Sequence, residues 1–269
     1  MSDFQRVLDT TERHLLALRA AGVRFLSVQP EILSQLREPP PVLETQTIVQ
    51  IESPPDQLSQ PSEDAETAMA ALRQRASACL KCPHLVKSRR SVVFGVGDIH
   101  APLMFVGEAP GADEDAQGEP FVGAAGQLLT RIIKTMGLSR ETVYIANILK
   151  CRPDTPGQSA GNRKPTSDEM KTCLPYLLEQ IDLIRPKVLV ALGATAIEGL
   201  LGAGGGIGKL RGHFQIFRDI PLMPTFHPAY LLRNQALSEK RKVWEDMLQV
   251  MEKLQMPISE KQRAYFLKP

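Results

Sequence analysis

Apolar positions recur at helical spacing over residues 3–20, where Phe4, Val7, Leu8, Leu15 and Leu18 predict an N-terminal helical extension reaching residue 28. From Gln29 to Ser62 the pattern dissolves, because Pro30, Pro39, Pro40, Pro41, Pro54, Pro55 and Pro61 interrupt any regular element. A Pro-rich linker, extended or disordered, is expected over 29–65. Helical spacing resumes around Glu63–Ala78 and delivers Cys79 at its end. Beyond it short apolar runs alternate with helical periods. Strands are expected at Leu103–Val106, Val143–Ala146, Val188–Leu192 and Pro221–Phe226, with helices at Gly126–Met136, after Thr166, at Thr195–Leu201 and over 238–254. Thr166 followed by Glu169 is a capping-box signature for the helix that carries Cys173. Alternation of this kind predicts an α/β domain over 66–255, a parallel sheet with helices on both faces, followed by a C-terminal tail over 256–269. Ligands of such sheets bind outside the carboxyl ends of the strands. Gly107-Glu108, Ala146-Asn147, Gly193-Ala194 and His227-Pro228 all fall there.

Bulk composition narrows the field only modestly. A hydrophobic content of 43% and a charged content of 23% are ordinary for a globular chain of 269 residues. Net charge is only +2, so a nucleic-acid surface has to be local. No apolar run approaches the roughly 18 residues that span a bilayer, and Met1–Arg6 lacks the basic-then-apolar plan of a secretory signal. A cytoplasmic location is expected, where thiols stay reduced. That changes the reading of the cysteines. Cys79-x-x-Cys82, Cys151 and Cys173 are the four in the chain, and in a reducing compartment they fit a metal site better than disulfides. Zinc and an iron–sulfur cluster both use such a ligand set. Lys81, Lys87, Arg89, Arg90, Lys150, Arg152, Arg163 and Lys164 flank these cysteines; one Cys₄ site would gather them into a single basic patch suited to phosphates. The glycine-rich stretch Gly202–Gly208 is not a P-loop, since Ala203 and Leu210 stand where the motif needs Gly and Ser/Thr.

Six ordered motifs carry a resemblance: Cys79-x-x-Cys82, Gly107-Glu108-Ala109-Pro110-Gly111-Ala112-Asp113-Glu114-Asp115, Gly118-x-Pro120-Phe121-Val122-Gly123, Asn147-x-x-x-Cys151-Arg152-Pro153, Gly161-Asn162-Arg163-x-Pro165 and His227-Pro228-Ala229-Tyr230-Leu231-Leu232-Arg233. Over about residues 75–252 the chain resembles the family-4 iron–sulfur uracil-DNA glycosylases. The resemblance implies a three-layer α/β/α fold with a four-stranded parallel sheet, and a [4Fe–4S] cluster held by Cys79, Cys82, Cys151 and Cys173. It also implies a monofunctional enzyme that flips uracil out of single- or double-stranded DNA and hydrolyses its N-glycosidic bond, leaving an abasic site for base excision repair.

The resemblance further implies the following roles for single residues. Phe121 stacks on uracil, and the Asn147 amide reads N3–H and O4, the reverse of cytosine's pattern. His227 donates to O2 as uracil leaves as an anion, while Glu108 holds the water and offsets charge on the sugar. Gly107, Asp113 and Asn162 complete the substrate pocket. Arg89, Arg90, Lys150, Arg152, Arg163 and Arg233 are expected to contact DNA, with Leu231 or Leu232 as the wedge in the base stack. The Asp154–Ala160 loop holds no His, Lys or Arg, which favours ordinary turnover over covalent trapping through a histidine. A monomer is expected, with the first 65 residues available to a repair or replication partner. The competing reading is a non-catalytic iron–sulfur DNA-binding module of replication or repair, which would tolerate loss of Glu108, Phe121, Asn147 and His227; a small redox protein is a third.

Overall fold

A computed structural model describes residues 63–154, 163–202 and 206–267. The helix expected over 3–20, nearly all of the expected linker and Asn162 lie outside these residues. Helices α1 (Glu63–Ser77) and α2 (Pro83–Ser88) bracket the Cys79–Cys82 turn. The chain continues through β1 (Val96–Gly97), β2 (Leu103–Gly107), α3 (Ala112–Gln117), α4 (Ala124–Thr135) and β3 (Tyr144–Asn147). Then come α5 (Ser167–Ile184), β4 (Val188–Leu192), α6 (Ala194–Leu201), α7 (Ile207–Leu210), β5 (Gln215–Phe217) and β6 (Ile220–Thr225). Helices α8 (Pro228–Arg233), α9 (Leu237–Lys253) and α10 (Glu260–Ala264) complete the order.

The sheet runs β1-β3-β2-β4-β6-β5. Its four inner strands are parallel, as expected. The outer two are antiparallel additions, so the sheet is six-stranded and mixed. Both edges escape detection by periodicity for local reasons. Strand β1 is two residues long, and β5 alternates partly exposed positions around an Ile216 that is 64% exposed. The β5–β6 hairpin turns through Arg218 and Asp219, both at positive φ (48° and 66°), without the Asn-Gly or Gly that usually announces such a turn.

Strand pleat explains the three layers. Met104 and Val106 of β2 enter one core with Leu72 of α1, Leu177 of α5 and Ile197 of α6. Leu103 and Phe105 enter the opposite core with Leu129 and Ile133 of α4 and Met247 and Met251 of α9. Strand β4 is buried at all five residues, as a strand covered on both faces must be, and each such Val or Leu contributes about 1.5–3 kcal/mol on burial. The Thr166 cap forms as expected: its hydroxyl accepts from the Glu169 N–H at 3.2 Å, and the Glu169 carboxylate accepts from the Thr166 N–H at 2.7 Å. The segment expected to be a tail instead packs on the domain. The Trp244 indole donates to the Gln262 carbonyl at 2.6 Å, and Gln262 donates to the Thr135 carbonyl at 2.8 Å. No helix among the described residues is long and apolar enough to cross a membrane.

Candidate functional site

Strand β2 pairs with β3 on one side and β4 on the other, so the chain reverses its direction of winding beside β2 and opens a crevice at the carboxyl ends. The turns after β2 and β3 are joined there: Ile148 N–H donates to the Gly107 carbonyl at 3.0 Å, and Leu149 N–H to the Glu108 carbonyl at 3.1 Å. Glu108 stands half-buried at this mouth. Asn147, the last residue of β3, is 2% exposed, and its Oδ1 is buried with no hydrogen-bond partner. A β carbon at Gly107 would lie 2.5 Å from Phe121 Cζ and would also strike Asn147 Oδ1. The glycine is needed because the aromatic ring and the amide close over it. Leaving a buried carbonyl-type oxygen unpaired costs about 1–3 kcal/mol, which marks the atom as an acceptor awaiting a donor.

His227 reaches the same place from the end of β6. Its ring centroid lies 5.6 Å from that of Phe121. Its Nδ1 accepts from the Ala229 N–H at 3.1 Å, so the neutral ring carries its proton on Nε2 and keeps that donor for a ligand. Burial, aided by the Arg233 charge, brings its pKa down to about 4, and the ring is neutral at ordinary pH. Behind it, Thr225 donates to Asp246 at 2.6 Å, and Arg211 clasps the same carboxylate at 2.7 and 3.2 Å, fixing the strand end that presents His227. The crevice therefore offers a flat apolar platform, a dry acceptor, a neutral donor and a carboxylate. A planar heterocycle bearing an N–H and a carbonyl oxygen fits that set.

The platform is held under strain. Phe121 has φ 56°, a left-handed conformation that costs an L-residue about 1–2 kcal/mol. Glu114 supports its loop by accepting from the N–H groups of Gly111, Val122 and Gly123, each at 3.0 Å. Arg140 donates to the carbonyls of Pro120 and Phe121 at 2.7 and 3.1 Å. The sequence alone assigns neither residue a role, although Glu114 lies within the Gly107–Asp115 motif. Glu114 has a faint signal, an acidic residue in the first turn of α3 after Gly111; Arg140 has none, because its partners are main-chain carbonyls. Asp113 is exposed on the first turn of α3, with an oxygen 2.6 Å from where a Gly123 β carbon would sit.

The four cysteines are free and converge on the α1–α5 face, with Cys151 and Cys173 buried and Cys79 and Cys82 packed against the core that contains them. Arg89 donates to Cys151 Sγ at 3.1 Å and to the Cys79 carbonyl at 2.8 Å, and the Lys150 N–H donates to Cys173 Sγ at 3.2 Å. Burial raises the thiols of Cys82 and Cys173, the neighbouring thiols adding to it, and takes Cys173 up to about 12. No group of three or more His, Cys, Asp or Glu among the described residues is drawn together tightly enough for a single ion. The donor set suits a group larger than one ion: four thiols, two of them already receiving N–H donors of the kind that stabilise thiolates.

Several residues expected at a DNA surface are committed elsewhere. Lys150 is 1% exposed, with Nζ donating to the Asn147 carbonyl at 3.0 Å and to Gln180 at 2.6 Å; the turn after β3 folds it inward. Arg163 makes a two-pronged pair with buried Glu169, at 2.8 and 2.5 Å, and His84 meets the same carboxylate at 2.6 Å. Arg89 is occupied at the cysteines. Leu231 is buried at 5% because α8 turns it onto the domain, which leaves Leu232, 36% exposed, on the surface. Arg90 and Arg233 are exposed, and Arg152 is half-buried beside Cys151.

The sequence model of the Uracil DNA glycosylase superfamily matches residues 94–248. The chain is 44% identical to a type-4 uracil-DNA glycosylase of Thermotoga maritima over 185 residues, 68% of this chain and 92% of that protein. It is 44% identical to one of Saccharolobus solfataricus over 177 residues (62% and 77%), and 39% identical to one of Sulfurisphaera tokodaii over 209 residues (74% and 90%).

Proposed function

This chain belongs to the uracil-DNA glycosylase superfamily, among the type-4 enzymes, and from that premise we propose that it excises uracil from DNA with Phe121, Asn147, His227 and Glu108. The observation that carries the reading is the unpaired, buried Oδ1 of Asn147 beside the Phe121 ring. An extruded uracil stacked on Phe121 supplies the missing donor through N3–H and takes a hydrogen bond from the Asn147 amide at O4. Cytosine offers an acceptor at N3 and a donor at position 4, so it leaves both groups mismatched.

In the chemical step the N1–C1′ bond breaks with its electron pair passing to uracil. The His227 Nε2–H donates to O2, where the resulting anion concentrates its charge, and a neutral donor does this without itself losing a proton. Glu108 faces the cationic sugar and takes the proton of the water whose oxygen bonds to C1′. The products are free uracil and an abasic site. No lyase step is assigned: the Lys150 amine is turned onto the Asn147 carbonyl and Gln180, away from the sugar.

The four cysteines fit a [4Fe–4S] cluster. Such a cluster takes one thiolate on each iron and spreads its ligands more widely than a single ion does. Bound by Cys79, Cys82, Cys151 and Cys173, it would tie the α1–α2 turn, the β3 exit and α5 into one unit. Its contribution here is structural, holding the turn that follows Asn147. Exposed Arg90 and Arg233 are the phosphate contacts and Leu232 is the wedge.

The test is single-turnover reaction of anaerobically purified protein with a uracil-containing oligonucleotide, read by alkaline cleavage, with absorbance and iron and sulfide content of the same sample. Uracil-dependent abasic sites, with iron and sulfide in equal amounts, support the proposal. Cluster-loaded protein that binds the oligonucleotide and yields no abasic site would instead make it a binding module.

A further inference from the structure

Phe121 holds its ring toward the crevice in a backbone conformation that L-residues rarely adopt, so its loop has to be gripped from outside. One grip is steric: Gly126 in the first turn of α4 lies so close to the Phe121 carbonyl that a β carbon there would collide with it. A second is Glu114, which takes the N–H groups after the ring. The third lies one turn further along α4, beside Thr130. Arg140, in the loop leading to β3, sends one guanidinium nitrogen to the Pro120 carbonyl at 2.7 Å and another to the Phe121 carbonyl at 3.1 Å, with Thr130 Oγ1 at 3.5 Å. These are the two carbonyls that flank the strained residue's N–Cα bond. Their separation is set by its φ and ψ together, and a rigid planar fork is the donor that can read that separation. Among the described residues Arg140 makes no salt bridge within 4.0 Å; its shortest hydrogen bonds go to this loop.

We propose that Arg140 is a positioning residue for base recognition, clamping the Pro120–Phe121 backbone so that the ring faces the extruded uracil. The proposal rests on the reading of Phe121 as the stacking residue. Arg140 reaches the reaction through Phe121 alone, so its removal should weaken capture of the base and leave the grip on DNA intact.

The experiment is a double-mutant cycle in the full chain. Arg140→Met keeps most of the stem and removes the fork, and Arg140→Lys restores one donor. Each is made in the wild-type and the Phe121→Ala backgrounds, and each is scored by single-turnover excision, inhibition by free uracil and binding to abasic-site DNA. With Phe121 present, Arg140→Met should slow excision and weaken uracil inhibition by about tenfold or more, the factor that ~1.4 kcal/mol represents. Arg140→Lys should recover part of this, and abasic-DNA affinity should stay unchanged. With Phe121→Ala, Arg140→Met should cost nothing further. Equal losses in both backgrounds, wild-type excision by Arg140→Met, or a parallel loss of abasic-DNA binding would overturn the proposal. Wild-type excision by Phe121→Ala alone would overturn the stacking assignment and the proposal with it, a result distinct from the other three.

Discussion

Asn147→Leu separates what the site costs from what it does. In the free protein Oδ1 is buried without a partner, and an orphan acceptor of this kind destabilises by about 1–3 kcal/mol. Leucine has the same γ-branched outline and no polar atom, so the substitution should make the unliganded protein more stable. For a domain of this size each kcal/mol moves Tm by about 2–4 °C, which puts the rise at roughly 2–12 °C. The same change leaves uracil N3–H and O4 unpaired in a dry pocket, at about 1–3 kcal/mol each. Excision should slow by roughly 30-fold to 2 × 10⁴-fold. The assay pairs thermal unfolding, at matched iron content, with single-turnover excision. A Tm at or below wild type would mean that Oδ1 already has a partner such as an ordered water. Excision at the wild-type rate would remove Asn147 from base reading. Stability and activity moving in opposite directions is the signature of a side chain kept for its ligand.

Other residues give independent tests. His227→Ala should lower the single-turnover rate by about 10²–10³, or ~2.7–4 kcal/mol, with abasic-DNA affinity retained; an unchanged rate would remove His227 from the chemistry. Between its folded-state pKa of about 4 and an unfolded value of about 6.5, the unfolded chain binds a proton that the folded ring refuses. Stability owed to His227 is therefore complete above that window and lost as pH falls through it, at no more than ~1.4 kcal/mol per pH unit, and NMR titration that found the imidazole charging near its ordinary value would contradict this. Gly107→Ala should push Phe121 and Asn147 apart and cost about 1–3 kcal/mol in stability, with excision falling as well; an active enzyme with an unshifted Tm would mean the two side chains do not close over this glycine. Glu169→Ala strips the acceptor shared by Arg163, His84 and the Thr166 N–H, and should cost about 1–3 kcal/mol and, if the proposed cluster is bound, speed the loss of iron on dilution, whereas an unaltered Tm would show the network to be ornamental.

The parallel centre of the fold was legible because burial on both faces forces apolar runs, and the places where those runs stop mark the carboxyl ends of strands. Gly107, Asn147 and His227 could be aligned along one crevice on that ground alone. The edges were not legible: β1 is too short to show a period, and the Arg218-Asp219 hairpin reaches its positive φ angles with residues that give no warning. The packing of the C-terminal segment escaped notice for a related reason, since its few apolar contacts, Met256, Ile258 and Tyr265, show no clear period and are joined by hydrogen bonds through Gln262.

Charge was the least transferable signal. Arg89, Lys150 and Arg163 look alike in sequence, three cations beside cysteines, yet one serves thiols, one is sealed under β3 and one pairs with a buried carboxylate. Which fate a cation meets depends on acceptors that are main-chain atoms or lie far along the chain, and neither is visible in local pattern. Arg140 is the sharpest instance. Its partners are two carbonyls about twenty residues earlier, exposed to it only because Phe121 takes a strained φ. Motifs in this chain identify the groups proposed to touch the base; the groups that hold them in place are specified by backbone geometry. Variants at Arg140 should therefore impair the site while every motif residue remains intact.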